Sequence, residues 1–290
     1  MQTVAVLLML IVALFQSSVS AISKFLHYSL PTEIITLFYY LIPFLFFLPH
    51  IVKNRLVAYK TSYTSLYVIR SLFSVTSVIC FFYVASVINL GEANVLFVTS
   101  PIFVAILSSI FLKEPITKIG FLGIILAFIG VYCIIKPESL QLINIGFFLG
   151  LMSGVLMSIS QIILKYLVGQ KEPTMRVVFY QYCYCALAII IFIFIKFLIN
   201  GFNLDLMYRP TVVVYILLIV LGLLSIVGQT MMTRAFKYMP ASKLSPILYA
   251  SVPISSIIGY ILWSQLIHFN FVIGSILIFM GILFNIYFKR

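Results

Sequence analysis

The stretch Leu244–Phe288, LSPILYASVPISSIIGYILWSQLIHFNFVIGSILIFMGILFNIYF, decides the fold because it contains no Asp, Glu, Lys or Arg. A helix that spans a membrane needs about 20 apolar residues, which cover the ~30 Å hydrocarbon layer at a rise of about 1.5 Å each. The stretch is far too long for one crossing, and the polar segment Gln265–Asn270 divides it. It therefore predicts two spanning helices, Ala241–Ser264 and Ile267–Phe288.

The composition extends this interpretation to the whole chain. Of its 290 residues 63% are hydrophobic and only 8% are charged, whereas soluble chains carry about 25% charged residues. Such a chain must be solvated by lipid. The remaining apolar runs predict eight more helices, at Thr3–Ser23, Glu33–Ile51, Ser65–Ile88, Gly91–Leu112, Ile119–Ile135, Ile143–Leu167, Met175–Ile199 and Pro210–Ala235. We therefore expect an all-α polytopic membrane protein with ten transmembrane helices.

The charge balance is strongly basic, with 18 Lys and Arg against 6 Asp and Glu. The basic residues stand singly at the edges of apolar runs, which is typical of an orientation signal and not of a nucleic-acid surface, so we expect no nucleic-acid partner. With ten helices, most of them fall on the side of both termini. The opposite side receives Lys24, Lys136, Lys196 and Arg209. The positive-inside rule therefore predicts that both termini are cytoplasmic.

The four cysteines lie inside apolar stretches, at Cys80, Cys133, Cys183 and Cys185. Their spacing matches neither a disulfide framework nor a metal site. We expect no metal and no cofactor.

The two halves of the chain, 1–138 and 139–290, resemble each other. Ala13, Ser17 and Lys24 of the first predicted helix match Gly154, Ser158 and Lys165 of the sixth. Each half holds five helices, an odd number, so the second half enters the membrane from the opposite face. Inverted repeats of this kind open a midplane site to each side in turn. Pro101 and Pro253 occupy matching positions and predict hinges or kinks beside that site, although a purely structural kink is the alternative.

Two ionisable residues of the predicted helices are candidates for contact with a substrate. A charged group inside the membrane costs about 2.5–3.5 kcal/mol, so Arg70 is expected to meet an anionic group such as a carboxylate. The alternatives are that Arg70 extends to the headgroups or pairs with Glu114. Glu92 is expected to bind a substrate cation or a proton, or to stabilise the start of the fourth helix through its dipole.

Uncharged polar residues complete the predicted substrate-binding set. They are Gln16, Ser20, Gln161, Gln181 and Gln229, with the tyrosines Tyr40, Tyr83 and Tyr249. Amides in a membrane must face inward, where each can hydrogen-bond either a substrate or a neighbouring helix.

The order of motifs from Arg70 to Pro137 resembles the drug/metabolite transporter superfamily in its ten-helix EamA-type form. The motifs are Tyr83-Val84-Ala85, Leu90-Gly91-Glu92-Ala93, Ser100-Pro101-Ile102-Phe103, Leu112-Lys113-Glu114-Pro115-Ile116 and Gly130-Val131. The second half repeats the pattern weakly, with Gln265 at the position of Glu114. The resemblance implies a secondary transporter of small metabolites, such as amino acids or related solutes, in a bacterial inner membrane.

We therefore expect a transporter that moves a small polar metabolite by alternating access, surrounded by membrane lipids, as a monomer or a homodimer. Transport is facilitative or by exchange, or a proton is coupled through Glu92. A channel or lipid scramblase is the second candidate. An intramembrane enzyme is the third, but the sequence has no His-Glu-x-x-His, no Gly-x-Ser-x-Gly and no pair of membrane aspartates, since its only Asp is Asp205 in a loop.

Overall fold

The computed structural model describes residues 2–54, 60–114, 117–135, 145–200, 211–265 and 269–287, and in these ranges every element of secondary structure is helical. A short 3-10 helix, Ser245–Ala250, lies between α10 and α11. The α-helices are α1 Gln2–Leu26, α2 Thr32–Asn54, α3 Thr64–Val87, α4 Leu90–Phe97, α5 Ser100–Phe111, α6 Lys118–Ile135, α7 Ile145–Gly169, α8 Thr174–Asn200, α9 Val212–Tyr238, α10 Ala241–Leu244, α11 Ser251–Trp263 and α12 Asn270–Tyr287.

These elements make ten crossings. Eight apolar segments have the length to cross a membrane, and the shorter apolar helices α6 and α12 supply the other two crossings. One crossing consists of α4 and α5 together, and another consists of α10, the 3-10 helix and α11. The predicted all-α fold with ten transmembrane helices is therefore confirmed. The sequence had predicted each of the two composite crossings as a single helix.

Both composite crossings are interrupted close to a proline. Pro101 stands in the first turn of α5, and Pro246 stands in the first turn of the 3-10 helix. Proline has no N–H to donate and its ring clashes with the preceding turn, so an uninterrupted helix is disfavoured at both places. Pro253 follows the second interruption and lies in the first turn of α11. A role of Pro101 and Pro253 as hinges stays a prediction.

The two halves of the bundle pack as counterparts of each other. Helix α3 packs on α7 and α8, and in the same way α9 packs on α1 and α2. Likewise α5 contacts α7, and α11 contacts α1. Two further pairs, α2 with α8 and α6 with α12, join a helix to its own counterpart. A two-fold relation between five-helix repeats produces this exchange of partners.

The pair α6 and α12 meets through its backbones. A Cβ built on Gly130 would lie 2.6 Å from the carbonyl oxygen of Gly274, and one built on Gly281 would lie 2.5 Å from that of Gly123. Only glycine fits at such distances. Small residues allow this approach, and van der Waals contact then joins helices that lipid would otherwise solvate equally well.

Candidate functional site

Two adjoining cavities lie inside the bundle, between helices of both halves. The arginine cavity has a volume of about 40 Å³, and its polar lining includes Tyr40, Arg70, Gln161, Gln181, Tyr182 and Gln229. The aromatic cavity has a volume of about 90 Å³, and its lining includes Phe15, Gln16, Tyr39, Phe81, Phe82 and Phe97. Because Tyr39, Gln161 and Gln229 line both cavities, we treat the two as one chamber.

Arg70 is the charged group of this chamber. It lies in the second turn of α3 and is only 2% exposed. Its Nη1 donates to the carbonyl oxygen of Val177 on α8 at 3.4 Å, whereas its Nε has no partner. No carboxylate among the described residues pairs with it. A guanidinium keeps its charge and has five N–H donors. The chamber therefore contains a buried cation with N–H donors that can bind a further acceptor.

Four glutamines surround the chamber and each leaves one end of its amide without a partner. The unpartnered atoms are Oε1 of Gln161 and Gln181 and Nε2 of Gln16 and Gln229. An unsatisfied buried polar group costs about 1–3 kcal/mol, and folded proteins contain few of them. These atoms can therefore hydrogen-bond a polar ligand or water inside the chamber.

Two tyrosine hydroxyls of the chamber, in contrast, are paired. The Tyr40 hydroxyl lies 3.2 Å from Oγ of Ser74, and the Tyr182 hydroxyl donates to Oγ of Ser225 at 3.2 Å. These bonds link α2 to α3 and α8 to α9. These two tyrosines therefore hold the helices around the chamber in place. Arg70 and the glutamine amides remain available to bind a ligand.

The aromatic cavity forms the apolar part of the chamber. The ring centroids of Phe81 and Phe97 are 4.5 Å apart, and Tyr39 stands edge-on to Phe82 at 5.4 Å. Rings packed in this way are rigid and apolar. They suit a flat or branched apolar group that extends from a polar head at Arg70.

Three of the predicted binding residues lie elsewhere. Ser20 is fully buried, donates to the carbonyl of Ser17 and accepts from the Asn94 amide, so it joins α1 to α4. Tyr249 is fully buried in the 3-10 helix and lines neither cavity. Tyr83 is 41% exposed on the outside of α3, because it lies about 100° around the helix from Phe82.

The side chain of Glu92 lies outside the described residues. Its predicted roles therefore stay predictions. The structure brings six predicted residues to the chamber, namely Gln16, Tyr40, Arg70, Gln161, Gln181 and Gln229.

Other residues of the chamber were missed from the sequence. Ser74 and Val78 follow Arg70 at four-residue spacing on α3, and Ser160 precedes Gln161 on α7. Residues four apart share one face of a helix, so the position of Arg70 could have identified the first two. Tyr182 adjoins the predicted Gln181 but carried no separate signal.

At one end of the bundle, here called the Lys165 end, a carboxylate and a lysine join neighbouring helices. Oε2 of Glu114 accepts from the backbone N–H of Ala241 at 2.9 Å, where α10 begins. Nζ of Lys165 donates to the carbonyls of Phe236 and Met239 at 2.7 and 2.8 Å and lies 3.7 Å from Oε1 of Glu114. These contacts tie together α5, α7, α9 and α10.

At the opposite end, here called the Lys24 end, the matching lysine joins neighbouring helices. Nζ of Lys24 donates to the carbonyl of Ile88, just beyond α3, at 2.6 Å. It also lies 5.9 Å from the ring centroid of Trp263 at the end of α11. The chamber therefore lies between two ends that repeat-related lysines hold together.

A buried carboxylate at the Lys165 end was not predicted from the sequence. Glu172 is 6% exposed. Its oxygens accept from Thr61 Oγ1 at 3.0 Å, from the Tyr67 hydroxyl at 3.2 Å and from Arg176 Nη1 at 3.0 Å. Glu172 therefore connects the start of α3 to the connection between α7 and α8, and it forms its ion pair with Arg176 and not with Arg70.

A helical bundle of ten crossings, built from two related halves around a buried polar chamber, has the architecture of a membrane transporter. The EamA-like transporter family matches this sequence twice, over residues 3–136 and 144–287. The chain belongs to this family and is a multi-pass membrane transporter with a small-molecule substrate.

Similar proteins agree with this class. The riboflavin transporter of Brucella anthropi is 26% identical over 249 residues, which are 86% of each chain. The pseudopaline exporter CntI of Pseudomonas aeruginosa is 25% identical over 210 residues, 72% of this chain and 70% of the exporter. One solved crystal structure covers 97% of this chain and 95% of its own with a TM-score of 0.73 and 14% identity, a likeness of fold alone.

Proposed function

We propose that this protein is a secondary transporter that moves a small polar metabolite carrying a carboxylate, an amino acid or a related solute, by alternating access. The observation that carries the proposal is Arg70, a buried cation without a carboxylate partner among the described residues. Leaving a buried charge uncompensated is strongly destabilising. A substrate carboxylate would neutralise the guanidinium through short, charge-assisted hydrogen bonds.

The position of the chamber supports alternating access. Helices of both halves line it, and equivalent lysines join helices at its two ends. Two related halves can tip against each other at nearly equal energy, which opens a central site to each side in turn. In this proposal the contacts of Lys165 and Glu114 break when that end opens, and those of Lys24 break when the other end opens.

We further propose a bacterial inner membrane with both termini in the cytoplasm, so that the Lys165 end faces the cytoplasm. The excess of Lys and Arg on that side supports this orientation. The functional unit is a monomer or a homodimer. Each chain consists of two repeats, 1–138 and 139–290.

Cysteine accessibility tests the mechanism without knowledge of the substrate. Ser160 lines the arginine cavity and is replaced by cysteine after the four native cysteines have been changed to alanine. A membrane-impermeant maleimide is then applied to each side of vesicles of known orientation. Alternating access predicts that Ser160→Cys reacts from both sides, whereas reaction from one side only would contradict it.

Two exposed positions provide the controls for sidedness. Gln170→Cys, at the Lys165 end, should react from the cytoplasmic side alone. Tyr28→Cys, at the Lys24 end and 68% exposed, should react from the opposite side alone. The reverse result would overturn the proposed orientation. A steady current in planar bilayers would indicate a channel or scramblase in place of a carrier.

A further inference from the structure

We propose that the substrate is an organic acid of net negative charge that also carries an apolar body and a neutral hydrogen-bonding group. An α-hydroxy acid or an N-acylated amino acid meets this description, and a zwitterionic amino acid does not. The inference rests on the proposed function and narrows its substrate class, from amino acids and related solutes to related solutes that lack the ammonium group.

The charges around the chamber are the first argument. Arg70 is the one charged side chain among the described residues that line either cavity. Other described carboxylates have partners away from the chamber: Glu33 pairs with Lys196, Glu114 lies beside Lys165, and Glu172 pairs with Arg176. The described chamber thus offers one positive charge and no negative charge to hold an ammonium.

The second argument is the repulsion that an amino acid would meet. When its carboxylate pairs with Arg70, its ammonium lies about 5 Å from the guanidinium, and at an effective dielectric constant of about 20 this repulsion weakens binding about 300-fold. Attraction between the ammonium and nearby aromatic rings strengthens binding by a factor of about 2 to 30 and so offsets part of this loss. We therefore expect an amino acid to bind about tenfold or more weakly than an anion of the same shape.

The unpartnered amides are the third argument. Oε1 of Gln161 and Gln181 can accept a hydrogen bond, and Nε2 of Gln16 and Gln229 can donate one. A hydroxyl group both donates and accepts, and an amide group does the same through two atoms. A neutral group of either kind satisfies these glutamines without adding positive charge beside Arg70.

The volume of the chamber sets the size of the substrate. A buried water needs about 10–15 Å³, so cavities of about 40 and 90 Å³ take about ten non-hydrogen atoms together. The acid group reaches Arg70, and the apolar body lies in the aromatic cavity beside Phe81 and Phe97. Phenyllactate and 2-hydroxy-4-methylvalerate are acids of about this size.

Matched pairs of ligands provide the test, since phenyllactate and phenylalanine differ only by a hydroxyl in place of an ammonium. A ligand that binds only the folded state raises the thermal midpoint of the purified protein. We expect L-phenyllactate and L-2-hydroxy-4-methylvalerate to raise it at concentrations tenfold or more below those needed for L-phenylalanine and L-leucine. N-acetyl-L-valine, an N-acylated amino acid of about the size of the chamber, should group with the hydroxy acids.

Variants of one residue locate the effect. Arg70→Gln should abolish the shift by the acids, and Arg70→Lys should weaken it, because an ammonium keeps the charge without the planar fork. The control is Arg234→Gln, which makes the same change at an exposed arginine of α9 and should leave the shift intact. If Arg70→Gln does not fold, Arg70→Lys and the ligand pairs decide.

The inference is wrong if the amino acids bind as tightly as the hydroxy acids, if Arg70→Gln retains the shift, or if no acid binds. Equally tight binding of the amino acids leaves the proposed function standing when Ser160→Cys reacts from both sides. A shift that is retained in Arg70→Gln would also remove Arg70 as the carboxylate site of the proposed function. Reaction from one side alone removes the proposed function itself, whichever ligand binds.

Discussion

Glu114→Gln is expected to favour opening at the Lys165 end. The carboxylate of Glu114 accepts from the first backbone N–H groups of α10, at 2.9 Å for Ala241 and 3.4 Å for Ser242, and lies 3.7 Å from Lys165. Glutamine has almost the same shape but no charge. The second half already carries glutamine at the matching position, Gln265.

The size of the effect follows from these contacts. A hydrogen bond to a charged group contributes about 1.5–3 kcal/mol and a neutral one about 0.5–1.5 kcal/mol, so replacement of the carboxylate weakens its bond to Ala241 by about 1 kcal/mol. Loss of the partly buried ion pair with Lys165 adds up to about 1 kcal/mol. A total of about 2 kcal/mol shifts the equilibrium toward opening at this end about 30-fold.

The assay is the rate at which Ser160→Cys reacts with the impermeant maleimide. Glu114→Gln should raise this rate up to about 30-fold from the side of the Lys165 end and lower it from the other side. Glu33→Gln is the control, because its partner Lys196 is half exposed at the Lys24 end and such surface pairs contribute about 0–1 kcal/mol. An unchanged rate in Glu114→Gln would refute the view that Glu114 holds this end closed.

Two further predictions concern packing and coupling. Gly281→Ala places a Cβ 2.5 Å from the carbonyl oxygen of Gly123 and should destabilise the protein by about 1–3 kcal/mol. The measurement is a fall in thermal midpoint. Gly146→Ala is the control, because a Cβ there has nothing within 4 Å, and it should leave the midpoint unchanged. In liposomes, L-phenyllactate should accumulate in response to membrane potential, about 50-fold per 100 mV for a monovalent anion. A dependence on a pH gradient that Glu92→Gln abolishes would instead show proton coupling through Glu92.

The fold was predictable because lipid imposes a simple requirement on the sequence. Every crossing must bury its backbone hydrogen bonds in apolar surroundings for about 20 residues, so apolar runs and their polar interruptions mark the helices. The charge-free stretch Leu244–Phe288 illustrates this: α11 ends at Trp263 and α12 begins at Asn270, on either side of the predicted division. The 3-10 helix was not predictable, because its dihedral angles depend on packing around Pro246.

The chamber was predictable only in part. The cost of burying Arg70 could be read from its place in an apolar run, but the cavity that a residue faces depends on how its helix is rotated against its neighbours. Ser20 and Tyr249 are mid-span polar residues like Gln161, yet their helices turn them toward other helices. The partners of Glu172 include Thr61, 111 residues away, and no local pattern indicates such a contact.

A single difference between the halves explains why the two ends of the chamber need not be equally stable. The lysines match, at Lys24 and Lys165, and both donate to carbonyls that follow a neighbouring helix. The acceptor at the start of α10 is the carboxylate of Glu114, whereas the matching residue is the neutral Gln265. A negative charge at a helix N-terminus adds about 0.3–1 kcal/mol that an amide does not. Because alternating access needs two states of nearly equal energy, this one residue is enough to bias which end is closed more of the time.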